Sequence, residues 1–199
     1  MKKDLRVIKT QQNIQSHFIK LLEQYTFQEI TIKILINECQ INRSTFYRNY
    51  EDKYDLIFKI SEQLLDQFEK TIHPHFIHLN ILNTNQLQPY FIDMLNYFNH
   101  NKKTLLIMKH NHLPINIFDE MLDIFNNLLL NEIINYYHID DSQIKKASYF
   151  SKIIASNILT AMKWWHEESP DTTQEEILNV ITLTVTEGIF ISMKSQFSK

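Results

Sequence analysis

With 199 residues, 44% of them hydrophobic, the chain is long enough to bury a core without disulfides or metals. One glycine and four prolines are too few for the turns of a sheet-rich protein, so we expect an all-α fold of about nine helices. The sequence has no apolar run of the roughly 18 residues that a membrane span needs, and its charged start lacks the apolar segment of a secretory signal. Because the single Cys39 also excludes an intrachain disulfide, we expect a cytoplasmic protein.

The N-terminal part predicts four helices from its apolar spacing and its capping residues. Thr31 can cap the second helix, and Glu51 or Asp52 can cap the fourth. The four helices are expected over residues 4–24, 31–39, 43–49 and 52–72. The apolar face of the first is expected to consist of Ile14, Phe18, Leu21 and Leu22.

The remainder of the chain predicts five further helices after a loop over residues 73–86. Pro89 and Pro114 suit first-turn positions, Asp140 or Ser142 can cap the helix that ends near residue 168, and Thr173 with Glu176 forms a capping box. These helices are expected over residues 89–100, 102–111, 114–137, 142–168 and 173–195.

The charge is distributed unevenly along the chain. Residues 1–60 carry a balance of +3 and residues 61–199 a balance of −6, within a net charge of −3. All three arginines, Arg6, Arg43 and Arg48, lie in the first quarter. Because an arginine can bond two acceptors of a phosphate or a guanine at once, the asymmetry favours a head that faces nucleic acid.

The segment 31–57 has the parts of a helix-turn-helix head: two short helices, a tight turn between them and a capped long helix. The start of the second helix, which enters the major groove in such units, reads Asn42-Arg43-Ser44-Thr45. Its side chains suit base edges and phosphates. Tyr47, Arg48 and Lys53 can add phosphate contacts.

This segment resembles the signature of the TetR/AcrR family of regulators. The matching residues are Thr31, Ile32, Leu35, Ile41, Arg43, Thr45, Phe46, Tyr47, Tyr50, Lys53 and Leu56. The chain departs from the signature at three positions: Gln40 stands where the family has a turn glycine, Cys39 replaces alanine and Asn42 replaces serine. A non-glycine residue at position 40 is therefore expected at an unfavourable positive φ if the turn keeps its form.

The resemblance implies a DNA-binding domain over residues 1–52 and a helical dimerisation and effector- or partner-binding domain over 53–199. It implies a dimer on a palindromic double-stranded DNA operator, acting as a repressor that a small apolar ligand or a partner protein switches. Together with the spacing, it assigns DNA contacts to Thr31, Asn42, Arg43, Ser44, Thr45, Tyr47, Arg48 and Lys53. An alternative is that the three-helix unit is a packing module, with Tyr47 and Tyr50 as core aromatics.

Adjacent tryptophans, Trp164 and Trp165, precede the Ser169-Pro170 break. They point about 100° apart on a helix, so one can line the interior while the other meets a neighbouring helix or chain; alternatively, both are core. The pair resembles a TetR-like branch that includes activators of a dihydroxyacetone-kinase operon, which act with a partner protein. This resemblance implies the second candidate function, a partner-dependent co-activator or adaptor without a small-molecule ligand.

Large apolar side chains in the middle of the chain mark either a packed core or an effector pocket. The candidate pocket residues are Phe91, Leu95, Phe98, Met108, Met121, Phe125, Tyr136 and Trp164. Small and apolar positions on the last two helices predict a homodimer interface. The candidate interface residues are Ser151, Ala155, Ile158, Ile181, Thr184 and Gly188.

Nine histidines raise the question of a metal site, with local clusters at 73–78 and 110–112. Because zinc sites need three or four converging ligands, we interpret these histidines as solvated side chains and expect no metal and no cofactor. No nucleophile motif or phosphate-binding glycine loop is present, so we expect no enzyme. The remaining alternative is an all-α enzyme or carrier whose helix-turn-helix is only structural.

Overall fold

The computed structural model describes residues 5–79, 84–169 and 171–188. Within these ranges every regular element is helical, which confirms the all-α prediction. The described residues form eight α-helices and one short 3-10 helix, η1. In chain order they are α1 (Leu5–Leu22), α2 (Ile32–Glu38), α3 (Arg43–Asn49), α4 (Lys53–Glu69), η1 (Pro74–His78), α5 (Thr84–His110), α6 (Ile117–Tyr137), α7 (Ile144–Glu167) and α8 (Gln174–Thr186). In the part of the chain that the structure describes, no helix is both long and apolar enough to cross a membrane.

The chain divides into two compact units, whereas the sequence predicts a boundary at residue 52. The first unit contains Met1–Leu65 and Lys103–Ile117, and the second contains Asp66–Lys102 and Phe118–Lys199. Helices α4 and α5 therefore each contribute residues to both units.

The first unit is built on the apolar face of α1. Ile14, Phe18, Leu21 and Leu22 recur at helical spacing and are buried, as the sequence predicts. The Phe18 ring meets the Phe27 ring edge to face, with 6.3 Å between centroids. This core holds the short helices α2 and α3, which at seven residues each are too short to be stable alone.

The second unit has an aromatic core centred on Phe68. This ring contacts the rings of Tyr97, Phe98 and Phe125 with centroids 5.6, 6.1 and 6.4 Å away. Such contacts between large rings contribute roughly 0.5 to 1.5 kcal/mol each beyond burial. Close packing of α7 on α8 completes the unit.

Several helix boundaries differ from the sequence prediction; α6, for example, begins at Ile117 and not at Pro114. The helices predicted over 89–100 and 102–111 are one helix, α5, which begins before Pro89. Nothing between them breaks the helix, since the Asn101 side chain donates to the Tyr97 carbonyl one turn earlier instead of capping a new helix. Helix α7 begins at Ile144, because Asp140 caps the preceding turn through the Ser142 N–H.

The last predicted helix begins as expected but ends early. Thr173 and Glu176 form the predicted capping box, with the Glu176 carboxylate accepting from the Thr173 N–H at 2.8 Å. Helix α8 ends at Thr186, and Gly188 follows at a φ of 78°. Only glycine adopts this conformation without strain, so Gly188 terminates the helix. The predicted end at Ser195 lies outside the described residues.

Candidate functional site

The turn between α2 and α3 is formed around Gln40. Gln40 lies in the left-handed region at a φ of 54°, as expected for a turn that keeps its form without glycine. The Ile41 N–H donates to the Ile36 carbonyl at 3.0 Å, and the Gln40 N–H donates to that of Asn37 at 3.2 Å. These two bonds form the helix-ending Schellman motif, in which the left-handed position usually holds glycine. The chain therefore retains the turn at the cost of backbone strain at Gln40.

Both short helices carry a side-chain cap at their N-termini. Thr31 Oγ1 accepts from the Ile34 N–H at 3.2 Å. Asn42 Oδ1 accepts from the N–H of Thr45 at 2.8 Å and also from the hydroxyls of Ser44 and Thr45. Since three bonds converge on one oxygen, the amide of Asn42 and the hydroxyls of Ser44 and Thr45 form a connected polar cluster at the start of α3.

Helix α3 has one buried and one exposed face. Phe46 is fully buried, and Tyr50, the residue after the helix, is buried beside it. Tyr47 is 46% exposed, and Arg43, Ser44 and Arg48 are exposed with it. The interpretation of Tyr47 as a core aromatic is therefore wrong, whereas that of Tyr50 is confirmed.

Arg43 and Tyr47 contact each other across one turn of the exposed face. The Arg43 guanidinium donates to the Tyr47 hydroxyl at 3.4 Å, and its carbon lies 5.5 Å from the centre of the ring. Such contacts restrict the rotamers of both long side chains before any partner binds. The exposed face thus presents two guanidiniums, a phenol and a hydroxyl on one rigid helix.

The ammonium of Lys53 is hydrogen-bonded within the protein. It donates to the carbonyl oxygens of Phe27, Gln28 and Ile30 at 2.8, 3.2 and 3.0 Å and lies 4.7 Å above the Phe27 ring. Partial burial lowers the pKa of Lys53. An ammonium has three N–H donors, so these bonds use all of them. These bonds tie the start of α4 to the segment before α2, and the phosphate contact of this side chain stays a prediction.

The candidate pocket residues are mostly core residues. Phe91, Leu95, Phe98, Met108, Met121 and Phe125 are each at most 3% exposed. Met108 belongs to the first unit, and the others belong to the second. Tyr136 and Trp164 are substantially exposed. The effector pocket assigned to these residues stays a prediction.

A cavity of about 450 Å³ lies in the second unit, lined by other side chains. Its walls are mostly apolar, and they come from η1, the end of α6, the first half of α7 and the end of α8. They include Phe76, Ile77, Ile133, Tyr137, Ile139, Ala147, Phe150, Ile154 and Val185. The volume is within the range of small-molecule sites. The sequence does not predict this cavity, because residues 73–86 are expected to form a loop. The adjacent apolar residues Phe76 and Ile77 in that segment could have indicated a buried wall.

The candidate interface residues lie largely inside the protomer. Ser151, Ala155, Ile158 and Ile181 have no exposed surface, and Ser151 donates to Asn126 Oδ1 at 2.7 Å. These four side chains therefore belong to the core and cannot form the contact surface as the chain is folded here. The surface of α7 and α8 instead exposes Ile153 by 51%, Trp164 by 38% and Val180 by 36% around an open groove, which Thr184 also lines.

The two adjacent tryptophans point apart, as the helical geometry predicts. Trp165 is buried, and its Nε1 donates to the Thr172 carbonyl at 2.7 Å, whereas Trp164 lines the open groove. The alternative that both rings are core is therefore wrong.

Two short helices joined by a tight turn, the second with a polar and basic exposed face, define a helix-turn-helix unit of the kind found in regulators. Residues 85–187, just over half of the chain, match the model of a transcriptional regulator C-terminal region of the TetR type. The chain belongs to the TetR family of transcriptional regulators. A comparison with curated proteins finds no match.

Proposed function

We propose that this regulator binds a palindromic operator as a homodimer, with α3 of each protomer in the major groove, and acts as a repressor. The observation that carries the proposal is the exposed face of α3, on which Arg43, Ser44, Tyr47 and Arg48 lie together. Phe46 anchors the opposite face in the core, so these side chains are held on a fixed helix. The positive balance of residues 1–60 supports an anionic partner.

The proposed roles divide into direct and indirect ones. Arg43, at the first turn of α3, reads a base edge, while Tyr47 and Arg48 contact the phosphate backbone. Asn42, Ser44 and Thr45 form the polar start of the helix, where the Asn42 amide nitrogen can donate to a base or a phosphate and the two hydroxyl oxygens can accept from a base. Thr31 caps α2, and the N-terminus of this helix then faces the phosphate backbone of the DNA. Lys53 acts indirectly, by holding the segment before α2.

A fluorescence anisotropy titration with the protein's own promoter fragment tests this proposal. Arg43→Ala should weaken binding to the preferred site by about 1 to 3 kcal/mol and reduce discrimination against altered sites. Lys70→Ala is the matched control, because it removes one exposed positive charge that pairs with Asp66 on α4. The proposal fails if the unmodified protein does not bind at low salt, or if both variants behave alike.

We propose that the homodimer forms through the exposed surface of α7 and α8. Ile153, Trp164 and Val180 present apolar surface there, and each is more than a third exposed. Two copies that bring these surfaces together would form a four-helix contact related by a two-fold axis. The operator's palindrome follows from that symmetry.

The proposed switch is an apolar ligand in the 450 Å³ cavity. Gln143 and Lys146 at the rim can orient a polar end of such a ligand. A ligand shifts operator affinity only by its differential affinity for two conformations, commonly about 1 to 3 kcal/mol.

A second candidate is a regulator switched by a partner protein, as the activator-like branch resembled by the tryptophan pair suggests. The exposed Trp164 beside the groove favours it, because an exposed tryptophan is typical of protein contacts. The two candidates differ in one measurement. If Trp164→Ala leaves the homodimer intact but abolishes a partner-dependent operator complex, the partner-switched function is correct.

A further inference from the structure

Two histidines and one glutamate converge beside the cavity of the second unit. His75 and His78 are three residues apart on η1, and residues at this spacing lie one above the other in a 3-10 helix. Glu132 Oε1 on α6 lies 2.7 Å from His75 Nδ1 and 2.6 Å from His78 Nε2. The three ligand atoms all lie within 4.8 Å of one another.

We propose that His75, His78 and Glu132 form a Zn²⁺ site. Imidazole nitrogens and a carboxylate oxygen are zinc ligands, and three protein ligands leave the fourth tetrahedral position for water. That position is accessible, since the His75 side chain is 68% exposed. Hard cations such as Mg²⁺ and Ca²⁺ prefer ligand sets made of oxygen atoms, so two imidazoles select against them.

The third histidine of the segment is not part of this site. His73 Nε2 lies 2.8 Å from Asp93 Oδ2 on α5, so its ring is paired elsewhere. In the sequence His73, His75 and His78 form one cluster, but in the structure His73 pairs with Asp93 while the other two meet at Glu132. Because Glu132 is far along the chain, the sequence-based interpretation of solvated histidines missed the ligand that completes the set.

The side chains around the ligands hold the site in shape. The His78 ring stacks on Tyr136, with centroids 3.9 Å apart and planes 13° apart. Tyr136 follows Glu132 by four residues, so both lie on one face of α6. Groups that orient a ligating ring are a regular part of metal sites. Zinc would replace the hydrogen bonds between the two rings and Glu132: each ring proton would pass to the other nitrogen of its ring or to water, and the ion would bind neutral imidazoles and the carboxylate.

Zinc at this position would order one wall of the 450 Å³ cavity of the second unit. Phe76 and Ile77 lie between the two histidines on η1, and Ile133 follows Glu132 on α6, and all three line the cavity. The ion would therefore fasten η1 to α6 and order one wall of the cavity. Through this wall, zinc and a cavity ligand would affect each other's binding in equal measure.

Calorimetric titration of the metal-freed full-length protein with ZnCl₂, without DNA, tests the site. We expect one zinc per chain, and affinity reduced at least tenfold in both Glu132→Gln and His78→Asn. His73→Asn, a matched change on the same segment, should bind like the unmodified protein. An excess of MgCl₂ should not compete.

X-ray absorption of the unmodified zinc-loaded protein gives a second test that does not depend on the folding of any variant. The expected shell has two imidazoles and oxygen and no sulfur, which separates the site from binding at Cys39. The proposal is overturned if no stoichiometric binding occurs at about 100 µM zinc, if sulfur ligates, or if Glu132→Gln binds unchanged while its circular dichroism is native. Because no DNA is present, these outcomes are independent of the proposed operator binding.

Discussion

The Lys53 ammonium donates to three carbonyl oxygens that precede α2, and this geometry changes what its removal should do. Lys53→Met keeps the aliphatic stem but leaves the three carbonyls without their donor. We expect the free energy of unfolding to fall by about 1 to 3 kcal/mol in urea titrations. The salt dependence of operator binding, measured where the variant is folded, should stay unchanged.

Arg48→Ala is the contrasting variant. It removes an exposed charge from α3, so it should leave the free energy of unfolding nearly unchanged and reduce the salt slope by about one. If Lys53→Met instead reduced the slope by about one without loss of stability, Lys53 would be a phosphate contact.

His166 makes the stability of the second unit depend on pH. Burial lowers the pKa of His166 to about 4, assisted by the positive charge of Lys102 and opposed by Glu167. Its ring stacks on Phe98, 5.7 Å between centroids, and its Nε2 has no hydrogen-bond partner among the described residues. The folded protein therefore binds fewer protons than the unfolded chain between about pH 4 and 6.5.

The free energy of unfolding therefore does not depend on His166 above about pH 6.5. It decreases as the pH falls from 6.5 toward 4, because the unfolded chain binds a proton that the folded protein excludes. Between pH 7 and 4.5 the unmodified protein should lose about 2 kcal/mol more than His166→Phe, which keeps a stacked ring but cannot titrate. Chemical denaturation at the two pH values measures the difference. Equal losses in the two proteins would show that protonation of His166 does not limit stability.

Among the elements, the end of α2 carries strain that one substitution can remove. Gln40 occupies the left-handed position of the Schellman motif at a φ of 54°. Gln40→Gly should raise the free energy of unfolding by about 0.5 to 1 kcal/mol, because glycine adopts this conformation without a steric penalty. Thermal and urea unfolding both measure it.

Gln12→Gly provides the control for this change. Gln12 is an exposed residue inside α1, where glycine should destabilise by about 0.5 to 1 kcal/mol. A destabilising effect at both positions would contradict the strain at Gln40. Helix α6 also ends at a residue with a positive φ, since His138 has a φ of 51° and the Ile139 N–H donates to the Ile134 carbonyl.

At the scale of the whole molecule, the proposed dimer depends on the exposed surface of α7 and α8. Val180→Glu places a charge on that surface and should convert a particle of twice 24.0 kDa to a monomer in analytical ultracentrifugation. Operator affinity should fall with it, since two linked heads bind far more tightly than one.

Val7→Glu is the matched control, because Val7 is 38% exposed on α1 and Val180 is 36% exposed on α8. It should leave the dimer intact. A monomeric unmodified protein at about 10 µM, or a Val180→Glu variant that remains dimeric, would contradict the proposed interface.

The features that the sequence predicts correctly depend on residues close together in the chain. The buried face of α1, the caps at Thr31 and Thr173 and the positive φ of Gln40 follow from contacts within about one helical turn. The divergence of Trp164 and Trp165 follows from helical geometry in the same way. The TetR resemblance of the head likewise rests on one continuous segment.

Only the tertiary structure decided which apolar and polar side chains meet across the chain. Ser151 and Ile158 look like interface residues on an isolated helix, yet packing within the protomer buries them and leaves Val180 exposed. Lys53 bonds carbonyls more than twenty residues earlier, and Glu132 reaches histidines more than fifty residues before it. Such partners depend on how the helices assemble, and hydrophobic spacing along one helix reports which face is apolar but not which neighbour covers it.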